Sequence, residues 1–239
     1  MKNIALIFAG GTGRRMQTVS RPKQFLELNG KPVIIYTLEI FDNHPLVDGI
    51  VVVCLEGWIP YLEKLLRKFG IGNVGAVVAG GSTGQESIYH GLLAARDTYG
   101  DDCNVLIHDG VRPLINEDII TRSIECAKQY GNAITVTPAI ETIITVSEDD
   151  SVDQIMDRSK CRMARAPQTF RLCDIVEAHN KAITDGALNM IDSAMLMSHY
   201  GATLHVVEGP VENIKITTPS DFYVFRAISE ASENSQIWG

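Results

Sequence analysis

The sequence predicts one α/β domain with a mainly parallel, twisted sheet and helices on both of its faces. Short uninterrupted apolar runs, such as residues 4–8 and 50–55, are typical of strands that are buried on both sides. Segments with apolar residues at helical spacing alternate with these runs, an order that produces parallel strand–helix–strand units. The length of 239 residues suits a single large domain, which we expect to span residues 1–239.

Strands and helices alternate through the first half of the chain. The predicted strands lie at residues 4–8, 50–55, 75–79 and 104–108. A helix is predicted after each of the last three strands, because apolar residues recur there at intervals of three and four positions. These positions are, in order, Leu62, Leu65, Leu66 and Phe69; Ile88, Gly91, Leu92 and Ala95; and Ile120, Ile124 and Ala127.

The pattern changes from about Thr135 onwards. Residues 142–146 and 151–155 predict a β-hairpin, and its acidic turn at 147–150 is interpreted as a solvated loop tip rather than a metal site. We expect this hairpin to project from the sheet as an arm. Further predicted elements are helices near 172–183 and 193–200, strands at 203–207 and 213–217, and a last helix that begins at Pro219 with Thr218 as its N-cap.

Composition and charge argue against several classes of protein. The net charge of −8 is opposite in sign to the surface of a nucleic-acid-binding protein. No apolar run approaches the length of a membrane span, and the N-terminus lacks a secretory signal pattern, so we expect a cytoplasmic protein without a membrane partner. The five cysteines lack the spacing of zinc ligands or redox pairs and are predicted to be reduced thiols.

A glycine-rich segment with the sequence AGGTG follows the first predicted strand. Glycines let a backbone approach a ligand closely, and the exposed amides of such a loop suit phosphate oxygens. Three cations, Arg14, Arg15 and Lys23, lie near this segment in an otherwise acidic chain. We therefore predict a polyphosphate site whose loop residues are Ala9, Gly10, Gly11 and Gly13.

Three kinds of phosphate-binding loop can be compared with this segment. A P-loop requires Gly-Lys-Ser/Thr, whereas this chain has Gly13, Arg14 and Arg15. A dinucleotide-binding loop requires a third glycine where Met16 stands, although Glu56 could take the place of the ribose-binding acid. The third alternative is a nucleotidyltransferase loop, in which basic side chains neutralise a nucleoside triphosphate.

Polar residues also follow other predicted strands. Ligands of open α/β sheets bind beyond the carboxyl ends of the strands, which meet at one edge. Gly81 and Ser87 follow the third strand, and Asp109 follows the fourth. Asp109 could stabilise the turn before Pro113, or it could hold Mg²⁺ or a substrate hydroxyl.

Three further residues have both a structural and a functional interpretation. His108 is favoured as a structural, partly buried histidine. Arg112 is either a surface ion-pair residue or an orienting partner of Asp109. Lys215 interrupts an apolar run, so it either lies on an edge strand or points to a specific group.

Four ordered motifs give the chain a family resemblance: AGGTGRRM with PKQ at 9–16 and 22–24, HDGVRP at 108–113, APQTF at 166–170 and NIKIT at 213–217. The first resembles the signature of sugar-phosphate nucleotidyltransferases. Together they resemble the cytidylyltransferases that act on methylerythritol 4-phosphate or ribitol 5-phosphate, from residue 3 to about 228. The resemblance implies a Rossmann-like nucleotidyltransferase domain and a homodimer formed through an arm at about 138–162.

The resemblance implies roles on the nucleotide side of the site. Arg15 and Lys23 would contact the triphosphate of CTP and stabilise charge on the reacting phosphorus. Lys215 would hold the α-phosphate. Gly81 and Ser87 would lie beside the cytosine and the ribose.

The resemblance also implies roles on the acceptor side. Asp109 would lie near Mg²⁺ and the acceptor, a small polyol phosphate. Asp192 matches a family aspartate near the acceptor. Thr142 and Arg158 match residues that reach the acceptor phosphate from the arm of the partner subunit.

Departures from the family pattern concern the acceptor. Gly84 stands where these families usually carry arginine, Glu141 precedes Thr142 where aspartate is usual, and residues 159–165 are unusually basic and lack an aromatic residue.

Three features resemble the ribitol branch of the family: Val111 in HDGVRP, Phe25 after PKQ, and the AGG opening at 9–11. The sequence therefore predicts CMP transfer to D-ribitol 5-phosphate, with methylerythritol 4-phosphate as the alternative acceptor. A non-catalytic nucleotide-binding relative is the alternative from another class.

Overall fold

A computed structural model describes residues 1–11 and 21–238 of the chain. The predicted loop residues Gly13, Arg14 and Arg15 lie outside the described residues. The helices and strands, in chain order, are β1 (Lys2–Ala9), β2 (Glu27–Leu28), β3 (Lys31–Pro32), α1 (Val33–Asp42), β4 (Gly49–Cys54), α2 (Ile59–Phe69), β5 (Val74–Ala79), α3 (Gly84–Tyr99), β6 (Cys103–Asp109), α4 (Glu117–Tyr130), β7 (Asn132–Pro138), β8 (Ile144–Val146), β9 (Val152–Ile155), β10 (Arg162–Arg171), α5 (Leu172–Asp185), α6 (Ser193–His199), β11 (Val206–Glu208) and α7 (Pro219–Trp238).

The main sheet has the strand order β11–β7–β10–β6–β1–β4–β5. Adjacent strands of this sheet pair in parallel, except that β10 runs antiparallel to both β6 and β7. The chain moves outward from β1 to β4 and β5, and then crosses to β6 on the other side of β1. The carboxyl ends of β1 and β6 therefore form a topological switch point, where open α/β sheets bind ligands.

Helices cover both faces of the sheet, as predicted. On one face, Ala5 and Ile7 of β1 share a buried core with α1, α2 and α4. On the other face, Ile4 and Leu6 share a core with α3, α5 and α6. Alternate residues of a strand point to opposite faces, so burial on both faces explains the continuous apolar run of β1.

Most of the predicted elements are confirmed. The four strands of the first half are β1, β4, β5 and β6, and the helices between and after them are α2, α3 and α4. The last helix begins at Pro219, where Thr218 Oγ1 accepts a hydrogen bond from the Asp221 amide at 3.4 Å. Asp221 Oδ2 accepts in return from the Thr218 amide at 2.7 Å, which is a reciprocal capping arrangement.

Two predictions near the C-terminus need correction. The strand predicted at 213–217 is wrong, because the segment is a loop. Its Ile216 amide donates to Val111 O at 2.9 Å, and the Asn213 side chain donates to Ala166 O, so single contacts replace a strand ladder. The strand predicted at 203–207 is instead β11, which covers only Val206–Glu208.

Five elements, α1, β2, β3, β7 and β10, were not predicted from the sequence pattern. In β10 the reason is Pro167, which follows Ala166 through a cis peptide bond inside the strand. A proline in an apolar run argues against a strand, since it cannot donate to the ladder.

The predicted hairpin is confirmed as β8 and β9, which pair antiparallel with Ile144 opposite Ile155. These two residues, with Val146 and Val152, are between 46% and 71% exposed. The turn between the strands is exposed as well, and Asp149 Oδ1 accepts hydrogen bonds from the hydroxyls of Ser147 and Ser151. The arm therefore presents a patch of apolar surface of the kind used for protein contacts.

Two further properties bear on function. Across residues 1–11 and 21–238, no helix has the length and apolar character that a membrane crossing requires. Each of the five cysteines is a free thiol.

Candidate active site

The glycine-rich loop is anchored to the motif that contains Lys23. Gln24 is 1% exposed, and its Nε2 donates a hydrogen bond to Ala9 O at 2.7 Å. A Cβ built on Gly11 would lie 3.6 Å from Lys23 Cε, so Lys23 lies against the loop. Gly10 has a steric reason to be glycine, since a Cβ there would come within 2.9 Å of the Phe8 ring. The structure therefore brings together the described part of the predicted phosphate loop and Lys23.

A second glycine turn follows β5 and leads into α3. Ser87 Oγ accepts from the Gly81 amide at 2.9 Å and donates to Thr83 O at 2.7 Å. A Cβ on Gly80 would lie 2.9 Å from the same oxygen, so the turn closes tightly around Ser87. Ser87 is buried and holds the turn, and its contact with a nucleotide stays a prediction.

Asp109 is the centre of the polar groups at the end of β6. Its Oδ1 lies 2.6 Å from Lys215 Nζ, and its Oδ2 lies 2.8 Å from Arg112 Nε. Asp109 pairs in register with Phe8 of β1, which places it beside the glycine loop. The orienting role predicted for Arg112 matches this geometry, whereas a surface ion pair does not, because Arg112 is buried.

The two cations keep Asp109 ionised. Burial by itself raises the pKa of this carboxyl, but Lys215 and Arg112 outweigh that effect and hold its pKa well below the usual range. His108, unlike Asp109, is held in its uncharged form, since burial lowers its pKa to about 4. At neutral pH, His108 is an uncharged histidine whose Nε2 contacts Arg112 O at 3.2 Å, which supports its structural interpretation.

Lys215 reaches Asp109 because its loop is fixed on both sides. Asn213 is fully buried; its Nδ2 donates to Ala166 O, while its own carbonyl accepts from Arg112 Nη1 at 2.8 Å. On the other side, the Ile216 amide is held by Val111 O. Lys215 therefore lies on an anchored loop rather than on the predicted strand, and it points to a specific group, as the second interpretation of this residue expected.

Asp109 and its two cationic partners line a cleft of about 460 Å³. Asp109, Arg112, Lys215 and Asp192 all contribute to its wall, together with Gly84. Thr142 and Arg158 do not line it, because both are exposed residues of the arm region. Arg158 Nη1 donates instead to Ile140 O at 2.9 Å within that region.

Asp192 begins helix α6 and is held by a glutamine. Its Oδ1 accepts from the Met195 amide at 2.8 Å as the N-cap, and its Oδ2 accepts from Gln168 Nε2 at 2.9 Å. Gln168 Oε1 in turn accepts from the Ala194 amide at 2.9 Å.

A second glutamine, Gln85 of α3, holds the segment before Asp192 in the same way. Its Nε2 donates to Ala187 O at 3.0 Å, and its Oε1 accepts from the Met190 amide at 2.9 Å. The segment 187–194, which forms one wall of the cleft, is thus fixed by two side-chain amides from separate elements.

Three residues of the cleft, Gln168, Gln85 and Arg165, were not predicted as site residues from the sequence. Gln168 is part of the APQTF motif, but its partner Asp192 lies 24 positions away. Gln85 follows Gly84, and its contacts span more than 100 positions. Arg165 lines the cleft as well, and its only signal was the basic character of residues 159–165.

The donor set at Asp109 fits a cation that is shared with a nucleotide. Among the described residues, no three His, Cys, Asp or Glu side chains form a metal-binding group. Mg²⁺ at phosphate sites needs only one or two protein carboxylates, because phosphate oxygens and waters complete its shell. An ionised carboxylate offers about four lone-pair positions, so Asp109 can accept a cation in addition to its two ion pairs.

The switch-point sheet and the cation-rich cleft define a nucleotide-binding α/β protein of the nucleotidyltransferase class. Comparison with known sequences makes this specific: the chain belongs to the family described as IspD, 2-C-methyl-D-erythritol 4-phosphate cytidylyltransferase, whose profile matches residues 3–231. The predictions of an enzyme and of a cytidylyltransferase are therefore confirmed, and the dinucleotide alternative is not supported.

Curated relatives carry two different names. The chain is 50% identical to the ribitol-5-phosphate cytidylyltransferase of Streptococcus agalactiae serotype V, over 100% of both chains. It is 53% identical to the protein of the same name from Vibrio parahaemolyticus, over 99% of this chain and 100% of that one. It is 42% identical to the 2-C-methyl-D-erythritol 4-phosphate cytidylyltransferase of Geotalea uraniireducens, over 99% of this chain and 100% of that one.

Solved structures give the same fold. The 4-diphosphocytidyl-2C-methyl-D-erythritol synthase of Anaerococcus prevotii superposes with a TM-score of 0.83 at 27% identity, over 96% of each chain. The 2-C-methyl-D-erythritol 4-phosphate cytidylyltransferase of Thermus thermophilus superposes with a TM-score of 0.76 at 28% identity, over 96% of this chain and all of that one.

Proposed function

We propose that this protein transfers CMP from CTP to D-ribitol 5-phosphate, producing CDP-ribitol and pyrophosphate. Two full-length relatives with that name are 50% and 53% identical, compared with 42% for a relative named for methylerythritol 4-phosphate. Val111 and Phe25, which favour the ribitol branch, are buried core residues next in sequence to site residues: Val111 precedes Arg112, and Phe25 follows Lys23 and Gln24.

The observation that carries the reaction class is the pairing of Asp109 with both Lys215 and Arg112 at the switch point. A half-buried carboxylate fixes two cations there, at 2.6 and 2.8 Å, beside the loop that follows β1. Preorganised cations at such a site can neutralise the charge that two phosphate-bearing substrates bring together.

The chemistry requires positioning more than acid–base catalysis. The acceptor phosphate monoester is mostly a dianion at neutral pH, because its second pKa is about 6. An oxygen of that dianion attacks the α-phosphorus of CTP, and the bond from this phosphorus to the bridging oxygen breaks as pyrophosphate leaves. No proton has to be removed from the nucleophile, so neutral His108 is not needed as a base.

The cations have separate tasks in this proposal. Lys215 contacts the α-phosphate, while Lys23 and Arg15 contact the leaving pyrophosphate. Loss of one such charge would lower the rate on the order of 10²–10³-fold, by analogy with oxyanion-hole donors.

Asp109 would hold Mg²⁺ when the nucleotide is bound. The ion would supply additional positive charge to the triphosphate, which favours in-line attack. The ionised state of Asp109 and its place in the cleft wall support this assignment.

The arm supports a homodimeric enzyme. Exposed Ile144, Val146, Val152 and Ile155 give it an apolar surface that a second copy could cover. Thr142 and Arg158 are outside the cleft of their own chain, so in this proposal they reach the acceptor in the partner's cleft.

An acceptor panel tests the proposal. Pyrophosphate release from CTP is measured with ribitol 5-phosphate, methylerythritol 4-phosphate and glycerol 3-phosphate, with Lys215→Met as the inactive control. We expect the highest kcat/KM with ribitol 5-phosphate. Higher kcat/KM with methylerythritol 4-phosphate would establish the alternative acceptor, and CTP binding without turnover of any acceptor would favour a non-catalytic relative.

A further inference from the structure

Arg165 lies in a break of the β10 ladder at the edge of the cleft. Ala164 pairs with Val136 of β7, and the next pair joins Gln168 to Ile134, so β10 advances four residues where β7 advances two. Residues 165–167 therefore bulge out of the ladder, and bulges of this kind redirect side chains beside active sites. Here the bulge brings the Arg165 side chain into the cleft wall.

Of the three cations in the cleft wall, Lys215 and Arg112 are paired with a carboxylate, whereas Arg165 is not. Asp109 pairs with Lys215 and Arg112, and Asp192 is held by Gln168 and a backbone amide. Arg165 Nε donates to Thr137 Oγ1 at 3.3 Å, and no carboxylate among the described residues forms an ion pair with it. Both of its terminal amino groups are available to an anion from the cleft.

The surroundings favour an anionic ligand. Arg165 is half-buried, and burial together with the charge of Arg112 lowers its pKa from the ordinary value. A guanidinium stays charged under such conditions, so the site carries a cation whose desolvation is not offset by the protein. A bound anion would supply the missing charge.

The position of Arg165 separates it from the triphosphate. Strand β10 adjoins β6 on the side opposite β1, with Gln168 in register with Ile107. That register, continued by two residues, brings the bulge level with Asp109. Arg165 thus lies across Asp109 from the glycine loop, and it shares the wall of the cleft with Asp192.

We propose that Arg165 binds the phosphate monoester of the acceptor and so makes the site selective for phosphorylated polyols. The planar guanidinium can donate two parallel hydrogen bonds to phosphate oxygens, which an ammonium group does less well. This inference rests on the proposed function, because it specifies how the same site binds its second substrate.

The test compares Arg165→Ala with the matched control Arg171→Ala. Arg171 is an exposed residue at the end of the same strand, and it pairs in register with Asn104, at the opposite end of β6 from Asp109. We expect Arg165→Ala to raise the KM for the acceptor about 10- to 100-fold, the range of a charge-assisted hydrogen bond. The KM for CTP should stay within about twofold, and the Arg171 control should change neither value beyond this. Arg165→Lys should recover part of the loss.

Other outcomes would overturn the inference. An unchanged acceptor KM, or equal increases in both KM values, would exclude selective binding of the acceptor phosphate. A loss with ribitol 5-phosphate but not with the shorter glycerol 3-phosphate would show that Arg165 contacts polyol hydroxyls instead. If Arg165→Ala unfolds at the assay temperature, the Lys variant and Arg165→Gln give the same comparison.

A binding measurement keeps this test separate from that of the proposed function. Calorimetric titration with ribitol 5-phosphate, in the presence of a non-hydrolysable CTP analogue, needs no turnover. Binding by the wild type that is weakened in Arg165→Ala supports the inference even if no CMP is transferred. Equal binding by both proteins, or none by the wild type, rejects it.

Discussion

The wall of the cleft at 187–194 gives a prediction that can be worked out from individual hydrogen bonds. Gln85 holds this segment through Ala187 O and the Met190 amide. Gln85→Met preserves the length of the side chain and removes both hydrogen bonds. We expect the segment to open more often, because Gln168 then holds only its far end.

The size of the effect follows from the two lost contacts. A net contribution of about 1 kcal/mol for each hydrogen bond gives about 2 kcal/mol for the pair. If this energy is lost only from the closed segment, its opening equilibrium increases roughly 30-fold, since 1.4 kcal/mol corresponds to a factor of ten. The acceptor KM should rise by up to the same factor, because the segment leads into Asp192.

Hydrogen exchange measured residue by residue is the direct assay. The Met190 amide should exchange roughly 30-fold faster in Gln85→Met, while amides of the buried strand β1 keep their wild-type rates. Gln129→Met is the matched control, since exposed Gln129 contacts only the Tyr130 hydroxyl. Unchanged exchange at Met190, or equal acceleration of all amides, would refute the reasoning that Gln85 holds this segment locally.

The remaining predictions concern charge, pH and assembly. Lys215→Met should lower kcat on the order of 10²–10³-fold, and the melting temperature should fall as well, because the mostly buried Asp109 loses one of its two cationic partners. His179 is buried, and burial lowers its pKa to about 4 from 6.5, so the unfolded chain takes up a proton more readily than the folded one between these values. Stability should therefore fall as pH decreases from 6.5 to 4, by up to about 3 kcal/mol from this group, and denaturant titrations of His179→Gln should show a shallower fall. Arg158→Ala should raise the KM for the acceptor and leave CTP binding nearly unchanged. Equal amounts of Arg158→Ala and Lys215→Met, unfolded and refolded together, should recover about a quarter of wild-type activity when the acceptor is well below the KM of the Arg158 variant, because half of the dimers are mixed and each holds one intact site of two.

Each of these has a contrary result. A kcat near the wild-type value in Lys215→Met would remove this lysine from the reaction. An equally steep pH dependence in His179→Gln would show that other groups, such as buried His108, account for the loss. Mixed dimers that stay inactive would show that Arg158 does not act in the partner's cleft.

The parallel core of the fold could be predicted from the sequence because its signals are local. Apolar runs such as 4–8 predict a strand that is buried on both faces, and helical spacing predicts which elements cover it. Strand β10 could not be predicted, since its cis-linked Pro167 interrupts the pattern and its pairing depends on β6 and β7.

Residues of the site were found where a motif marks them and missed where only packing does. Asp109 follows a buried strand, and the parallel register places it beside the glycine loop. Lys215 was identified by its motif, although its loop was predicted as a strand, because the contacts of Asn213 that hold the loop lie far away in sequence. Gln85 and Arg165 depend on such distant contacts alone.

The central claim is that ribitol 5-phosphate is the preferred acceptor of CMP from CTP. The most direct measurement is competition: equal concentrations of ribitol 5-phosphate and methylerythritol 4-phosphate, CTP and Mg²⁺, with both CDP products quantified by mass spectrometry. The product ratio equals the ratio of the two kcat/KM values. We predict an excess of CDP-ribitol of at least about tenfold, as a difference of one good hydrogen-bonded contact implies. An excess of the methylerythritol product, or no CDP product at all, would contradict the account.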